Sequence, residues 1–213
     1  MRLRRGEDRR LRAGHLWVFS NEIDVAATPL ANFEPGAQVR VLSDRGQSLG
    51  VAYLNPATLI AARILARDAD GPLGRKWLAG RLRQALALRE SCSQSAHYRW
   101  VFGESDGLPG LVLDRYGDIV VGQIATLGME RLQSEIEAAI REVLDPAVLL
   151  WKNDSGARAL EGLGERVQLA WGELPEQVSV REVLPAGPTL NFAVDLAGGQ
   201  KTGWFFDQTF NRS

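Results

Sequence analysis

The stretch YRWVFGESDGLPGLVLDRYGDIVVGQI, residues 98–124, contains three short apolar runs separated by turn sequences. The runs lie at 98–102, 111–114 and 119–124, and the segments between them are rich in glycine, with one proline. Segments this short connect antiparallel neighbours, because a parallel connection needs a crossover of a dozen or more residues. The stretch therefore predicts an antiparallel meander of three strands near the middle of the chain.

Helical patterns flank this meander on both sides. After it, Leu132, Ile136 and Ile140 recur every four residues within 129–144, and Pro146 enforces a stop soon afterwards. We expect this helix to pack on the meander. Before it, residues 73–90 predict an amphipathic helix with a basic outer face. Further strands are predicted at 148–152, 167–171, 177–184 and 190–195, which gives an α+β region.

The first part of the chain is predicted to be all β. Val39 and Val41 alternate with polar residues, an Asp-Arg-Gly turn follows, and apolar runs resume at 49–54 and 59–66. Short strands punctuated by glycine and proline are typical of a small barrel.

Composition narrows the class of protein. The chain is 45% hydrophobic and 24% charged, as in folded globular proteins. Cys92 is the only cysteine, and only two histidines are present, which argues against an internal disulfide, a cysteine-rich zinc site and an HExxH metal site. No apolar run is long enough for a signal peptide or a membrane span, so we expect a soluble cytoplasmic protein with no membrane partner.

Charge is distributed unevenly along the chain. Residues 1–90 hold 15 Lys/Arg and 9 Asp/Glu, a net charge of +6, whereas residues 91–213 carry −7. This asymmetry favours a polyanion-binding front half. Ordinary solvated faces are an equally good interpretation of the charge count alone.

Motifs for phosphate binding are missing, since neither a P-loop nor a GxGxxG turn is present. Glu104 and Asp106 could form an acid/base pair, but turn chemistry is the preferred interpretation, because Asp in such loops commonly bonds the backbone. Residues 153–155, Asn-Asp-Ser, could contact RNA or cap the chain, and spacing alone does not decide between these roles.

Four passages together resemble the S-adenosylmethionine (SAM)-dependent large-subunit rRNA cytosine-C5 methyltransferases. They are AGHLWVFSNEI at 13–23, GESDGLPGLVLDRYGD at 103–118, LLWKNDSGARALEGL at 149–163 and KTGWFFDQTFNR at 201–212. Their order and separation match the family along nearly the whole chain, so the joint signal is specific.

The resemblance implies a three-part enzyme. It divides this chain into a PUA-like RNA-binding barrel at 1–70, a central α+β domain at 71–196, and the start of a Rossmann-like SAM domain at 197–213. The glycine loop and the nucleophilic cysteine of the family would lie beyond Ser213, and Cys92 does not match that cysteine. The chain is thus expected to be truncated, to be inactive alone and to bind SAM, the cofactor of the complete enzyme, weakly or not at all.

The expected partner is RNA, with ribosomal RNA implied by the resemblance. Guanidinium groups neutralise phosphates and stack on unpaired bases. The predicted RNA-binding residues are Arg2, Arg4, Arg5, Arg9, Arg10, Arg12, His15, Arg63 and Arg67. Trp17 and Phe19 are expected to be core residues, because Trp-Val-Phe is also an ordinary strand sequence.

The resemblance also implies a set of residues near the SAM and target-base site of the complete enzyme. These are Lys201, Thr202, Gly203, Phe205, Asp207 and Gln208. A stand-alone RNA-binding or assembly module without methyltransferase activity is the alternative function. The oligomeric state is left open, a homodimer being one option.

Overall fold

A computed structural model describes residues 1–69, 71–93, 95–183, 189–199, 202–206 and 208. Its first part is a four-stranded antiparallel sheet with the order β1-β4-β3-β2. The strands are β1 (Trp17–Val18), β2 (Ala37–Leu42), β3 (Ser48–Leu54) and β4 (Ala62–Ala66), and the short helix α1 (Arg9–Arg12) precedes them. Single bridges from Arg2 to Leu42 and from Leu3 to Ile23 extend the sheet. Closure of this sheet into a barrel stays a prediction.

A second, five-stranded sheet forms the centre of the chain, in the order β5-β6-β7-β8-β9. The strands are β5 (His97–Phe102), β6 (Leu111–Tyr116), β7 (Ile119–Ile124), β8 (Val148–Asn153) and β9 (Arg166–Trp171). Strands β5, β6 and β7 are antiparallel neighbours, which confirms the predicted meander. Strand β8 runs parallel to β7, because the intervening helices carry the chain back to the opposite end of the sheet.

Helices cover one face of this central sheet. They are α2 (Arg75–Cys92), α3 (Leu127–Arg131) and α4 (Gln133–Val143). The prediction of a single helix at 129–144 is wrong in one respect, since the helix is interrupted at Leu132, where ψ is 8°. The break lets α3 approach the N-terminal sheet, so closely that a Cβ on Gly128 would lie 2.1 Å from Tyr53 Cγ, while α4 packs on α2.

The predicted basic outer face of α2 is largely paired. Arg75 and Arg83 bond the two carboxylate oxygens of Glu142 on α4, at 2.9 and 2.6 Å. None of the helices in the described ranges is both long and apolar enough to cross a bilayer.

The opposite face of the central sheet is covered by a hairpin and the C-terminal segment. The hairpin pairs β10 (Val178–Val183) with β11 (Thr189–Val194). A cluster of apolar side chains forms where these elements meet the sheet, and Trp204 and Phe206 pack against it. Its buried members are Tyr116, Val121, Leu150, Val178, Val180, Val194 and Leu196.

The N-terminal and central sheets share part of one core. Val51, Tyr53 and Leu65 of the N-terminal sheet pack into the cluster that lies beneath the helices. The Tyr53 hydroxyl donates a 2.9 Å hydrogen bond to the carbonyl of Pro109. These contacts fix the position of the two sheets relative to each other. The surface where they meet is therefore part of the folded structure.

Candidate nucleic-acid interface

Three of the predicted RNA-binding arginines have acidic partners. Arg10 bonds Glu22 at 2.8 Å, and its guanidinium lies 4.8 Å from the centre of the Phe19 ring. Glu22 is buried and also accepts the backbone N–H of Phe19, at 2.8 Å. Arg10 therefore neutralises a buried carboxylate and helps to fix the turn after β1.

Arg12 and Arg63 are paired in different surroundings. Arg12 bonds Asp8 at 2.7 Å on the surface, and that hydrogen bond lowers the pKa of the Asp8 carboxyl. Arg63 bonds Glu161 at 2.7 Å, where the side chains are only 12% and 4% exposed. Glu161 also accepts a 2.8 Å hydrogen bond from the Asn55 side chain. This buried group links the N-terminal sheet to the loop after β8.

The other predicted arginines present their charge to solvent. Arg2, Arg4, Arg5 and Arg9 are exposed, and no carboxylate of the described residues forms an ion pair with them. Farther along the sheet, the exposed Arg67 donates a 3.0 Å hydrogen bond to the backbone carbonyl of the exposed His15. The structure thus divides the predicted set into arginines paired with carboxylates and exposed arginines without a carboxylate partner among the described residues.

Trp17 is not a core residue, contrary to the prediction, since it is 40% exposed. Strand β1 has two residues and, among the described strands, pairs with β4 alone, so its alternate side chains face the core and the solvent. Val18 takes the buried position. The indole N–H of Trp17 donates a 2.9 Å hydrogen bond to Glu104, across the boundary between the two sheets. Phe19 is half-buried beneath Arg10.

The two acidic residues of the GESDG loop, Glu104 and Asp106, have different roles. The Asp106 carboxylate accepts the backbone N–H of Phe102 and bonds Arg89, both at 2.6 Å. This confirms turn chemistry for Asp106. Glu104 instead is exposed and reaches Trp17.

The Asn-Asp-Ser segment is mainly structural. The Asn153 side chain accepts the backbone N–H of Ile124 at 2.7 Å, and Ser155 caps the short 3-10 helix Gly156–Glu161. Asp154 is exposed.

A cleft of about 350 Å³ opens where the two sheets meet, and we call it the junction cleft. Side chains from both sheets, from the short 3-10 helix Gly103–Asp106 and from the 3-10 helix Gly156–Glu161 line it: Arg63, Phe102, Glu104, Val112, Gln123, Leu160 and Glu161. Phe102 and Leu160 were not among the sequence-predicted site residues. Phe102 carries a weak signal, as an aromatic residue at the end of a strand before a polar turn, whereas nothing in the local pattern distinguishes Leu160.

The C-terminal segment is anchored to the central sheet by Thr202, which is buried. Its hydroxyl donates to Asp114, while Arg99 bonds the same carboxylate through two nitrogens at 2.9 and 3.1 Å. The Tyr116 hydroxyl donates to the Thr202 carbonyl at 3.0 Å. Burial raises the pKa of the Asp114 carboxyl, although Arg99 and Thr202 oppose that shift.

The remaining residues implied near the SAM site have varied settings. Gly203 adopts φ +110°, and a Cβ there would lie 2.8 Å from Leu196. Phe205 is 40% exposed and Gln208 is half-buried. Lys201 and Asp207 lie outside the described residues.

Comparisons with known proteins extend over nearly the whole chain. Residues 1–67 match the model of the PUA-like domain family. The chain is 33% identical to Ribosomal RNA large subunit methyltransferase I of Tolumonas auensis, covering 99% of this chain and 52% of that protein. It is 34% identical to the protein of the same name from Vibrio cholerae, with coverages of 98% and 51%. The chain therefore spans about half the length of these curated relatives.

Two solved structures share the fold. One is a protein from Streptococcus mutans assigned as a SAM-dependent methyltransferase, with a TM-score of 0.78 and 22% identity over 100% of this chain and 52% of that one. The other is SMU.776, assigned as a methyltransferase and solved with SAH, with a TM-score of 0.76 and 22% identity over 97% and 50%. At this identity the likeness concerns architecture alone.

Proposed function

We propose that this chain is the RNA-binding part of a SAM-dependent methyltransferase that acts on C5 of a cytosine in large-subunit ribosomal RNA. Its similarity to proteins named for rRNA methylation supports the assignment. Within this proposal, residues 1–70 form the RNA-binding domain, 71–196 the central domain, and 197–213 the lead-in to the SAM domain.

The observation that carries the RNA-binding role is the group of exposed arginines at the start of the PUA-like domain. Arg4, Arg5 and Arg9 have no acidic partner in the described part of the chain, so their charge is not neutralised within the fold. Arginines in this state release condensed counterions when they contact phosphates, which is the main source of sequence-independent affinity. Arg2, Arg67 and His15 are the other exposed residues of the proposed RNA-binding surface.

Thr202 has a positioning role in this proposal. The bonds that Thr202 makes with Asp114 and Tyr116 fix where the chain leaves the central sheet. The position of Thr202 would set the orientation of the SAM site relative to the bound RNA. SAM supplies the methyl group in the complete enzyme. We expect calorimetric titration of this chain alone to show no tight SAM binding.

The test compares two triple variants that remove equal charge. Arg4→Gln, Arg5→Gln and Arg9→Gln together remove the unpaired arginines, whereas Arg75→Gln, Arg83→Gln and Arg141→Gln remove three exposed arginines from the helical face. Binding of a fluorescent single-stranded RNA is measured by anisotropy at several salt concentrations. We expect the first variant to reduce the slope of log K against log salt by about two, at about 0.7 for each lost phosphate contact.

Two results would contradict the proposal: no salt-sensitive RNA binding by the wild-type chain, or equal effects of the two triple variants. A stand-alone RNA-binding module predicts the same binding data. The reading frame after Ser213 distinguishes the two functions, because a glycine loop in frame supports the methyltransferase.

A further inference from the structure

Exposed apolar side chains form part of the lining of the junction cleft. Phe102 is 54% exposed and Leu160 is 79% exposed, and both line the cleft. Trp17, bonded to the cleft residue Glu104, lies beside it. Trp17 and Phe102 are two of the three exposed aromatic residues among the described residues. Clustered apolar surface with a polar rim marks an interaction site.

The size of the cleft suits a small ligand or one group of a larger molecule. Its volume of about 350 Å³ lies at the lower end of small-molecule pockets, which begin at roughly 300 Å³. It is open to solvent between the N-terminal and central sheets, so a group attached to a longer chain could enter it. A single nucleoside fits these conditions.

Charge within the cleft favours a base over a phosphate. Glu161 is neutralised by Arg63, but Glu104 is an exposed carboxylate whose described partner is the neutral indole of Trp17. A carboxylate repels phosphate and accepts hydrogen bonds from the amino groups of bases. Aromatic side chains stack on unpaired bases, which is the common mode of recognition for single-stranded RNA.

Phosphate-binding groups lie on the neighbouring part of the same sheet. Trp17 is paired with Arg63 across β1 and β4, and Arg67 lies four residues beyond Arg63, a distance of about 13 Å along an extended chain. Arg67 is bonded to His15, two residues before Trp17. An RNA strand with one base in the cleft could therefore place its phosphate backbone along Arg67 and His15.

We infer that the junction cleft binds one unpaired base of the RNA, stacked by Phe102 with Trp17 at the rim, and that Glu104 favours a base carrying an amino group. This inference rests on the proposed RNA-binding function and adds a specific site to it. The cleft residue Val112 lies on the same face of β6 as Asp114, which bonds Thr202. The base is thus held on the sheet face that also carries residues 202–206.

The experiment uses two fluorescent strands of equal length and charge, a single-stranded RNA and an abasic phosphodiester strand. Phe102→Ala and Leu160→Ala remove cleft side chains, and Leu88→Ala is the matched control, a 53% exposed leucine on α2 outside the cleft lining. We expect Phe102→Ala to weaken binding of the base-bearing strand about ten-fold, the loss of one stacked base. Binding of the abasic strand should be unchanged, and Leu88→Ala should alter neither affinity.

The outcomes separate the two proposals. If Phe102→Ala and Leu160→Ala leave the ratio of the two affinities unchanged while the Arg4/Arg5/Arg9 variant weakens both strands, the cleft inference is wrong and RNA binding stands. If neither strand binds the wild-type chain, both proposals fail. A loss of folding by Phe102→Ala, seen by circular dichroism, would leave Leu160→Ala to decide.

A second measurement addresses the base that the cleft prefers. Oligocytidine carries amino groups, whereas oligouridine of equal length does not. Glu104→Gln keeps an acceptor for Trp17 and adds donors, so the preference for oligocytidine over oligouridine should fall about five-fold, the loss of one charged acceptor. An unchanged preference, or no preference in the wild type, would overturn this assignment of Glu104.

Discussion

Both faces of the central sheet carry a cluster of buried residues, but the two clusters are built from different chemistry. Under the helices, Trp100 and Trp151 lie among aliphatic side chains, and their indole N–H groups are satisfied by the Leu82 carbonyl and by Glu137. On the opposite face, Asp114 and Lys152 are fully buried beside the apolar cluster. The helical face is thus defined mainly by apolar packing, and the other face by charges as well.

Both buried charges bond the same part of the chain. Asp114 accepts from Thr202, and the Lys152 ammonium donates to the carbonyl of Gly199. Apolar packing allows small shifts, whereas a buried charge that loses its partner is costly. We infer that the helical face supplies stability, while the charged face fixes the register of the C-terminal segment.

The largest expected effect tests the helical face. Trp151→Ala should lower the free energy of unfolding by about 4 kcal/mol, because Trp151 is buried and packs directly on Gly122 of the neighbouring strand. Leu169→Ala on the adjacent β9, where the side chain is exposed, should cost less than about 0.5 kcal/mol. Urea unfolding measures both changes, and equal losses would contradict the assignment of the core to this face.

The next effect concerns the charged face. Asp114→Ala should cost about 3 kcal/mol, because it deprives Arg99 and Thr202 of their shared buried acceptor. Asp114→Asn should cost about 1 kcal/mol, since it keeps the shape and one acceptor oxygen while removing the burial cost of the charge. If urea unfolding shows that Asp114→Asn lowers the free energy of unfolding as much as Asp114→Ala, the charge itself, rather than the hydrogen bonding, stabilises the position of Thr202.

The same residue predicts a pH dependence with a definite sign. The pKa of Asp114 is raised by burial above its ordinary value of 3.8, so its contribution to stability is complete below about pH 3.8 and is lost as the pH rises through the raised pKa. The stability difference between wild type and Asp114→Asn should therefore shrink as the pH rises from about 4 to 7. Unfolding of both proteins across this range checks it, and a growing difference would mean that Arg99 outweighs burial.

Asp114 also shows where prediction from sequence succeeds and where it fails. Alternating apolar residues and glycine turns predict the meander because they reflect local chain geometry. The sequence predicts a strand that ends at Asp114, but β6 continues to Tyr116, since Arg99 lies directly opposite on β5 and neutralises the carboxylate. That pairing, and the arrival of Thr202 from far along the chain, have no local signal.

The functional surface follows the same rule. The arginine-rich start was evident from composition, but whether each arginine is paired depends on residues such as Glu161, nearly a hundred positions from Arg63. The exposure of Trp17 likewise depends on β1 being a short edge strand that faces Glu104. Residue type predicts the chemistry, and tertiary contacts decide which members of a set are available.

A smaller effect is expected at the joint between the sheets. Glu161→Gln should cost about 2 kcal/mol, because the largely buried Arg63, whose side chain is 12% exposed, loses its counter-charge while the Asn55 contact can be retained. The matched control is Glu165→Gln, an exposed glutamate in the same loop, with an expected change below about 0.5 kcal/mol. Urea unfolding measures both, and limited proteolysis should show earlier cleavage between the sheets for Glu161→Gln alone. Similar behaviour of the two variants would mean that the joint depends on apolar packing instead.

The smallest effect is expected for Trp17→Phe at the rim of the junction cleft. This change removes the hydrogen bond to Glu104 and keeps an aromatic ring, so the free energy of unfolding should fall by only about 0.5 kcal/mol, as for a solvent-exposed hydrogen bond. The loss of a buried aromatic or charged group from either face of the central sheet is expected to lower the free energy of unfolding far more. A change near 2 kcal/mol in urea unfolding would place Trp17 with the structural joint at Glu161. A small change, together with retained stacking on RNA, means that this exposed ring serves binding, because stability does not require it.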